Sequence, residues 1–235
     1  MELNSQSKKP TVGIIYYTNN FLDPKIFNAC QKQILKASNG LKIVSVSLKP
    51  IDFGEKNIVM PLQSCRLTMF KQILTALENI DTDIVFFCEH DVLYHPSHFD
   101  FLPTKKDTFY YNTNFWFLRF QDGFTLFNNV SPLSGMCVYR ESALSHYRDR
   151  VEMVEKDGFS YNMGYEPMTH NRIPWKNQFK SEYRQSAFPN IDIRHGRNTT
   201  KSRWTTKLFW DKPTVWIEGT IDTLPGWPNI KELLK

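Results

Sequence analysis

Two carboxylates, Glu89 and Asp91, stand two residues apart just after the apolar run Ile84-Val85-Phe86-Phe87-Cys88. Side chains two apart on extended chain point to the same side. A pair so placed can converge on one divalent cation through hard oxygen ligands. The plainer reading is a solvated pair where a strand leaves for a loop, and at this point both readings stand. His90, between them, faces the opposite way if the strand persists, and is then structural. His90, His95 and His98 match no standard zinc spacing, and no cysteine set lies nearby.

The elements that must position this pair can be read outward from it. The apolar run before Glu89 suits a strand buried on both faces of a parallel sheet. Glu89 and Asp91 then sit at its carboxyl end, where open α/β sheets bind ligands. Residues 11–17 (TVGIIYY) read as a first buried strand that ends in the polar loop Thr18-Asn19-Asn20. Asp23 is an N-cap and Pro24 the first residue of a helix that runs to Ser38 and stops at Asn39-Gly40. Residues 41–48 alternate as a second strand, which makes a βαβ unit. Residues 49–61 read as loop, and 62–80 as an amphipathic helix with Arg66 near its start. A helix N-terminus attracts anions, although Arg66 reads equally well as a surface residue.

The second half is rich in aromatics. Residues 108–120 read as strand with a bend, and the turn Gln121-Asp122-Gly123 pairs them with 124–127. Ser134-Gly135 leads into a strand over 136–140, and 141–155 read as helix. Residues 158–190, with three prolines, read as loop with short helical pieces, and this stretch carries Glu166. A short strand at 191–193 delivers the basic stretch Arg194 to Lys207, which holds His195, Arg197, Lys201 and Arg203 and no acidic residue. The last residues read as irregular.

The bulk numbers bound the class. A chain of 235 residues, 41% hydrophobic and 14% aromatic, has enough apolar material for a sizeable core. The reading is a flexible tail over 1–10 and one domain over 11–235. A net charge of +5 permits an anionic partner without demanding one. The four cysteines form no CxxC and suggest reduced thiols. No secretory leader is visible at Met1 to Pro10, and no apolar run nears the roughly 20 residues that span a bilayer. A cytoplasmic protein without an integral membrane segment is the expectation.

The order of these features resembles glycosyltransferases of the GT-A fold, particularly the family 2-like group. The resemblance rests on a polar loop after the first strand, Ser64-Cys65-Arg66 before a strand ending in acid-X-acid, Ser134-Gly135 before a strand, a later Glu and a late His. It covers roughly residues 11 to 203, and it implies a nucleotide-donor half over about 11–100 and an acceptor half over about 101–235. It implies an α/β fold: a GT-A-like (Rossmann-like), mostly parallel mixed sheet flanked by helices. It implies transfer of a sugar from a nucleotide-sugar donor, a UDP-sugar first among them, with Mn²⁺ or Mg²⁺ and an inverting outcome. Asp91, Glu89 and His195 would hold the metal. Thr18, Asn19, Arg66, Glu89, Ser134, Gly135, Arg197 and Lys201 would bind the donor, and Glu166 would be the catalytic base. Two departures from the family pattern stand out. Glu89 replaces the usual first Asp, and Glu166 lacks a neighbouring acidic partner. Asp157 and Glu182 stay open as alternative bases, and Asp192 reads as an anchor of its segment.

The expected acceptor is a saccharide or glycoconjugate. A hydroxymethylated base in DNA is a second class, because the basic stretch is interleaved with Trp204, Phe209 and Trp210. The plainer view of that stretch is a donor-phosphate loop with core tryptophans. Two further classes stay open: a nucleotidyltransferase, against which Gly13 stands alone without a Gly-rich loop, and a non-catalytic nucleic-acid-binding protein.

Overall fold

Strand β1 (Val12–Thr18) shows how the core is built. Its side chains alternate, and both faces are covered. Ile15 and Tyr17 join the cluster beneath helices α2 (Arg66–Asn79) and α3 (Arg140–Asp157). Ile14 and Tyr16 point to the other face, where Ile34 of helix α1 (Pro24–Ser38) meets them. A strand buried on both sides needs apolar residues at every position, which is why the sequence there is a continuous run. The structure, a computed structural model, describes residues 9–169, 173–196, 198, 200–209 and 212–234. Most of the tail expected over 1–10 therefore lies outside the described residues.

A large sheet and a smaller one carry the fold. Around β1 the large sheet adds β2 (Lys42–Ser47), β3 (Lys56–Val59), β4 (Ile84–Glu89), β6 (Thr108–Asn112), β9 (Met136–Tyr139) and β10 (Lys180–Arg184). Its order is β10-β6-β9-β4-β1-β2-β3. β1 pairs in parallel with both β2 and β4, β3 with β2, and β10 with β6, whereas β9 runs antiparallel between β4 and β6. The smaller sheet has the order β12-β8-β7-β11-β5. It contains β5 (Val92–Leu93), β7 (Phe115–Arg119), β8 (Phe124–Phe127), β11 (Asn190–Arg194) and β12 (Ile217–Thr220). The mostly parallel mixed sheet with flanking helices expected from the sequence is the arrangement observed.

Local signals account for α1. The Asp23 carboxylate accepts from the Lys25 N–H at 2.8 Å and Pro24 is the first helical residue. The helix ends where Asn39 turns left-handed at φ 48°. Elsewhere the structure departs from the sequence expectation. The segment read as loop over 49–61 contains β3, a half-exposed edge strand with no apolar run. Its Asn57 side chain binds Ser45 and Ser47 of β2. The helix expected to begin at 62 begins at Arg66. The aromatic stretch 108–120 divides between the two sheets as β6 and β7. The corner is set by Asn112, whose Oδ1 accepts from the Asn114 and Ser186 N–H groups. β10, within the stretch read as loop, is again a mostly polar edge strand. A third cluster, with Cys30 of α1, Ile193 of β11, and Trp227 and Ile230 of the C-terminal segment, packs the smaller sheet against α1. That segment ends in the short helix α4 (Ile230–Leu233).

The four cysteines are free, as expected. Among the described residues no helix is long and apolar enough to cross a membrane.

Candidate active site

The site forms where the carboxyl ends of β1 and β4 meet the smaller sheet. Tyr17 and Glu89 are register partners across the parallel β1–β4 pair. The Tyr17 hydroxyl donates to Glu89 Oε1 at 2.7 Å. On the other side Tyr94 ties the strand end down: its hydroxyl accepts from the Glu89 N–H at 3.0 Å and donates to the Ser134 carbonyl at 3.1 Å. The strand stops at Glu89. His90 and Asp91 lie in a turn, and the chain re-enters extended geometry at Val92, antiparallel to β11. The Ile193 N–H donates to the Asp91 carbonyl at 2.8 Å, which brings the end of β11 against that turn.

This turn corrects the expectation for His90. Strand alternation would have sent its ring away from Asp91. The turn instead groups His90, Asp91 and His195, with one ligand atom from each lying within 4.8 Å of the others. His195 Nε2 is 3.1 Å from Asp91 Oδ2. Asn198, which sequence reasoning missed, braces both: its Nδ2 donates to Asp91 Oδ2 at 2.8 Å and its Oδ1 accepts from the His195 N–H at 2.6 Å. Only its proximity to His195 in the sequence could have signalled it. Tyr17 was missed as well, being indistinguishable in sequence from any core aromatic.

A cavity of about 540 Å³ opens over these groups. Glu89, Asp91 and His195 line it, and so does Glu166. Thr18, Asn19, Arg66, Ser134 and Lys201 line it too. Gly135 does not. It is buried, and a Cβ there would meet the Asn112 carbonyl at 2.6 Å and the Phe115 ring at 2.9 Å, so its place is packing. Arg197 falls outside the described residues, as does Trp210. Asp157 ends α3, and Glu182 pairs with Lys105 on the sheet edge; neither alternative base lines the cavity. Asp192, unlike those two, lines the cavity, and it pairs with Arg194 two residues on at 3.2 Å.

Several of the residues expected from the sequence to bind a donor are already engaged within the protein. Thr18 Oγ1 accepts from the Asn20 N–H at 3.0 Å, which shapes the loop after β1. Arg66, at the start of α2, donates to the hydroxyls of Tyr165 and Tyr161 at 2.7 and 2.8 Å. Its guanidinium also lies 4.8 Å from the Phe159 ring centroid. It thus straps α2 to the segment that carries Glu166. Ser134 Oγ is buried at the cavity wall and has no hydrogen-bond partner among the described residues. Arg150, completely buried, fixes the backbone before Glu166 by donating to the Gly164 and Tyr165 carbonyls at 2.9 and 3.1 Å.

The electrostatics separate the acids. Burial, reinforced by Asp91, pushes Glu89 up to about 8, although the Tyr17 hydroxyl favours its ionised form. Burial also opposes ionisation of Asp91, but the nearby His90 and the hydrogen bond from His195 outweigh it and hold Asp91 below the usual carboxylate range. Burial raises Asp192 to about 6 against the pull of Arg194. It raises Glu166 as well, with the Arg150 charge as a partial offset. One ionised carboxylate beside two imidazoles fits a divalent cation, and a carboxyl raised by burial in the same cavity suits proton transfer.

No protein-family model matches the chain, and no curated protein matches it. Solved structures of similar shape exist at low identity. A glycosyltransferase involved in the glycosylation of the major capsid of PBCV-1 is 10% identical, with a TM-score of 0.45 over 75% of this chain and 82% of that one. The bifunctional IspDF from Campylobacter jejuni is 14% identical, with a TM-score of 0.42 over 75% of this chain and 50% of that one. The glycosyltransferase GlyE of Streptococcus pneumoniae TIGR4 is 13% identical, with a TM-score of 0.43 over 73% of this chain and 45% of that one. The chain spans half or less of the length of the latter two.

Proposed function

We propose that this protein is a metal-dependent glycosyltransferase that moves a sugar from a nucleotide-sugar donor to an acceptor hydroxyl. One observation carries the reading: Glu89, Asp91, His195 and Glu166, far apart in sequence, line one cavity at the carboxyl ends of β1 and β4. Asp91 and His195 would hold the cation, with Glu89 beside it. A divalent cation bound there supplies positive charge against the diphosphate that leaves with the nucleotide.

The chain's own residues do the rest. Lys201 and Arg194, both on the cavity wall, add positive charge for phosphate oxygens. Thr18, Asn19 and Arg66 form the nucleotide side, and the unpartnered Ser134 hydroxyl offers a hydrogen bond to the sugar. Glu166 accepts the proton of the attacking hydroxyl, and in-line attack inverts the anomeric centre. A UDP-sugar is the first donor to test.

A saccharide is the favoured acceptor over a base in DNA. The aromatic groups beside the basic stretch are largely engaged within the protein. Arg119 lies over the Phe124 and Trp204 rings at 4.5 and 5.2 Å, and Arg203 lies 5.0 Å from the Phe209 ring. That leaves less of a platform for stacking bases.

The test is release of nucleoside diphosphate from a panel of nucleotide sugars with Mn²⁺, supplied with candidate acceptors. The wild type should turn over one donor, and Asp91→Ala, folded by circular dichroism, should not. Full activity in Asp91→Ala with an unchanged metal requirement would sink the assignment.

A further inference from the structure

The acid-X-acid pattern suggests a cation held by two carboxylates. The structure offers a different donor set. We infer that His90, Asp91 and His195 form a nitrogen-rich cation site that takes a transition metal ion of the Mn²⁺ to Zn²⁺ group and rejects Mg²⁺. The proposal deepens the metal-dependent reading above and shares its location.

Three observations support it. Two adjacent residues, His90 and Asp91, reach one centre only because β4 ends at Glu89 and the chain turns there. A continued strand would have separated them. One ligand atom from each of the three residues lies within 4.8 Å of the others, a spread that a single cation can span by drawing the side chains in. Glu89 is not one of the three. Its Oε1 is instead engaged by the Tyr17 hydroxyl at 2.7 Å.

Ligand chemistry then decides which ion is taken. Mg²⁺ demands octahedral oxygen ligands and gives up its waters reluctantly. Imidazole suits Zn²⁺, Fe²⁺ and their neighbours, and two imidazoles with one carboxylate are a recurrent set for such ions. Oriented ligands also need a supporting hydrogen-bonded partner. Asn198 fills that role, since one side-chain amide holds both the Asp91 carboxylate and the His195 backbone.

The experiment uses the full chain, stripped with chelator, and metal ions alone. Co²⁺ serves as the probe because its visible absorption reports on bound ligands. One Co²⁺ per chain is expected, retained against a large excess of Mg²⁺ and displaced by Zn²⁺. His90→Ala and His195→Ala should each weaken Co²⁺ binding by at least about tenfold. Glu89→Gln should weaken it less than either. Pulsed electron paramagnetic resonance of Mn²⁺ on the unmodified protein should show nitrogen coupling from two imidazoles, a readout that needs no variant to fold. Displacement of Co²⁺ by equimolar Mg²⁺, unchanged affinity in His90→Ala, coupling to a single imidazole, or no metal binding without a nucleotide would each overturn the inference. The two readings fail separately. Sugar transfer that runs equally well on Mg²⁺ would end this inference and leave the transferase. Tight Co²⁺ binding with no transfer from any donor would leave the metal site and end the transferase.

Discussion

His195 Nε2 stands 3.1 Å from Asp91 Oδ2, a contact that closes 104 residues of chain. It joins the turn after β4 to the end of β11, and so ties the large sheet to the smaller one at the cavity. The contact does not hold itself in place. Asn198 grips both partners, the carboxylate with its amide nitrogen and the His195 backbone with its amide oxygen.

Asn198→Ala should therefore lower sugar-transfer activity by about 10- to 100-fold, the usual cost of losing the partner that orients metal ligands. Global stability should fall by only about 1–3 kcal/mol, the scale of one or two lost hydrogen bonds. Asn198→Asp should not rescue, because a carboxylate cannot donate to Asp91. Steady-state kinetics beside a urea titration decide the matter. Wild-type kinetics in the alanine variant would remove Asn198 from the site.

Glu166 makes a prediction with a pH axis. Burial holds its carboxyl above the ordinary value near 4.5. A general base works only when ionised, so kcat should fall as pH drops through that raised value, and the acid limb should lie above 4.5. Glu166→Gln should lower kcat by about 10²- to 10⁴-fold and remove the limb. A variant that keeps the wild-type limb would assign the base to another group.

What could be read in the sequence follows how local each determinant is. β1 and β4 announce themselves because both faces are buried and the run stays apolar until its last residue, Thr18 in one and Glu89 in the other. The ends of α1 are equally plain, since Asp23, Pro24 and Asn39-Gly40 act on backbone groups within a few residues. β3 and β10 are edge strands whose pairing comes from backbone hydrogen bonds to a neighbour, so neither needs an apolar run. The division of 108–120 into two strands depends on Asn112 meeting Ser186, 74 residues away. In the site, Glu89, Asp91 and His195 were legible as chemistry. His90 was not, because one residue of strand more or less decides which way its ring points. Tyr17 and Asn198 act only through contacts that folding creates.

Gly135 separates packing from donor recognition. A Cβ added there would stand 2.6 Å from the Asn112 carbonyl and 2.9 Å from the Phe115 ring, and backbone cannot yield as a side chain tip does. Gly135→Ala should cost about 1–3 kcal/mol, the usual price of overfilling a tight interior. Below its melting transition the variant should bind donor with a wild-type KM. A raised donor KM at unchanged stability would instead place Gly135 beside the sugar.

His98 gives a pH-dependent stability that the site does not enter. Its ring is buried against Phe86, Tyr94, Phe99 and Phe115. Its Nδ1 accepts from the side-chain amides of Asn112 and Asn190, both at 3.0 Å. Burial, with the nearby Arg184 charge, holds its pKa well below the usual 6.5. In the unfolded chain the ring takes up a proton near 6.5, while the folded ring stays neutral. The folded state therefore binds fewer protons, and the contribution of His98 is fully present above pH 6.5 and is lost as pH falls below it, by about 1.4 kcal/mol per pH unit. Other buried groups titrate in the same range, so the comparison must be between variant and wild type. His98→Asn keeps an acceptor for the two amides but removes ring volume, at a cost of about 2 kcal/mol at pH 7.5. That cost should shrink by about 1.4 kcal/mol between pH 6 and pH 5, because only the wild type pays for a neutral ring. Urea unfolding of both proteins at three pH values measures it. An equal cost at every pH would mean that His98 titrates in the fold as it does in the unfolded chain.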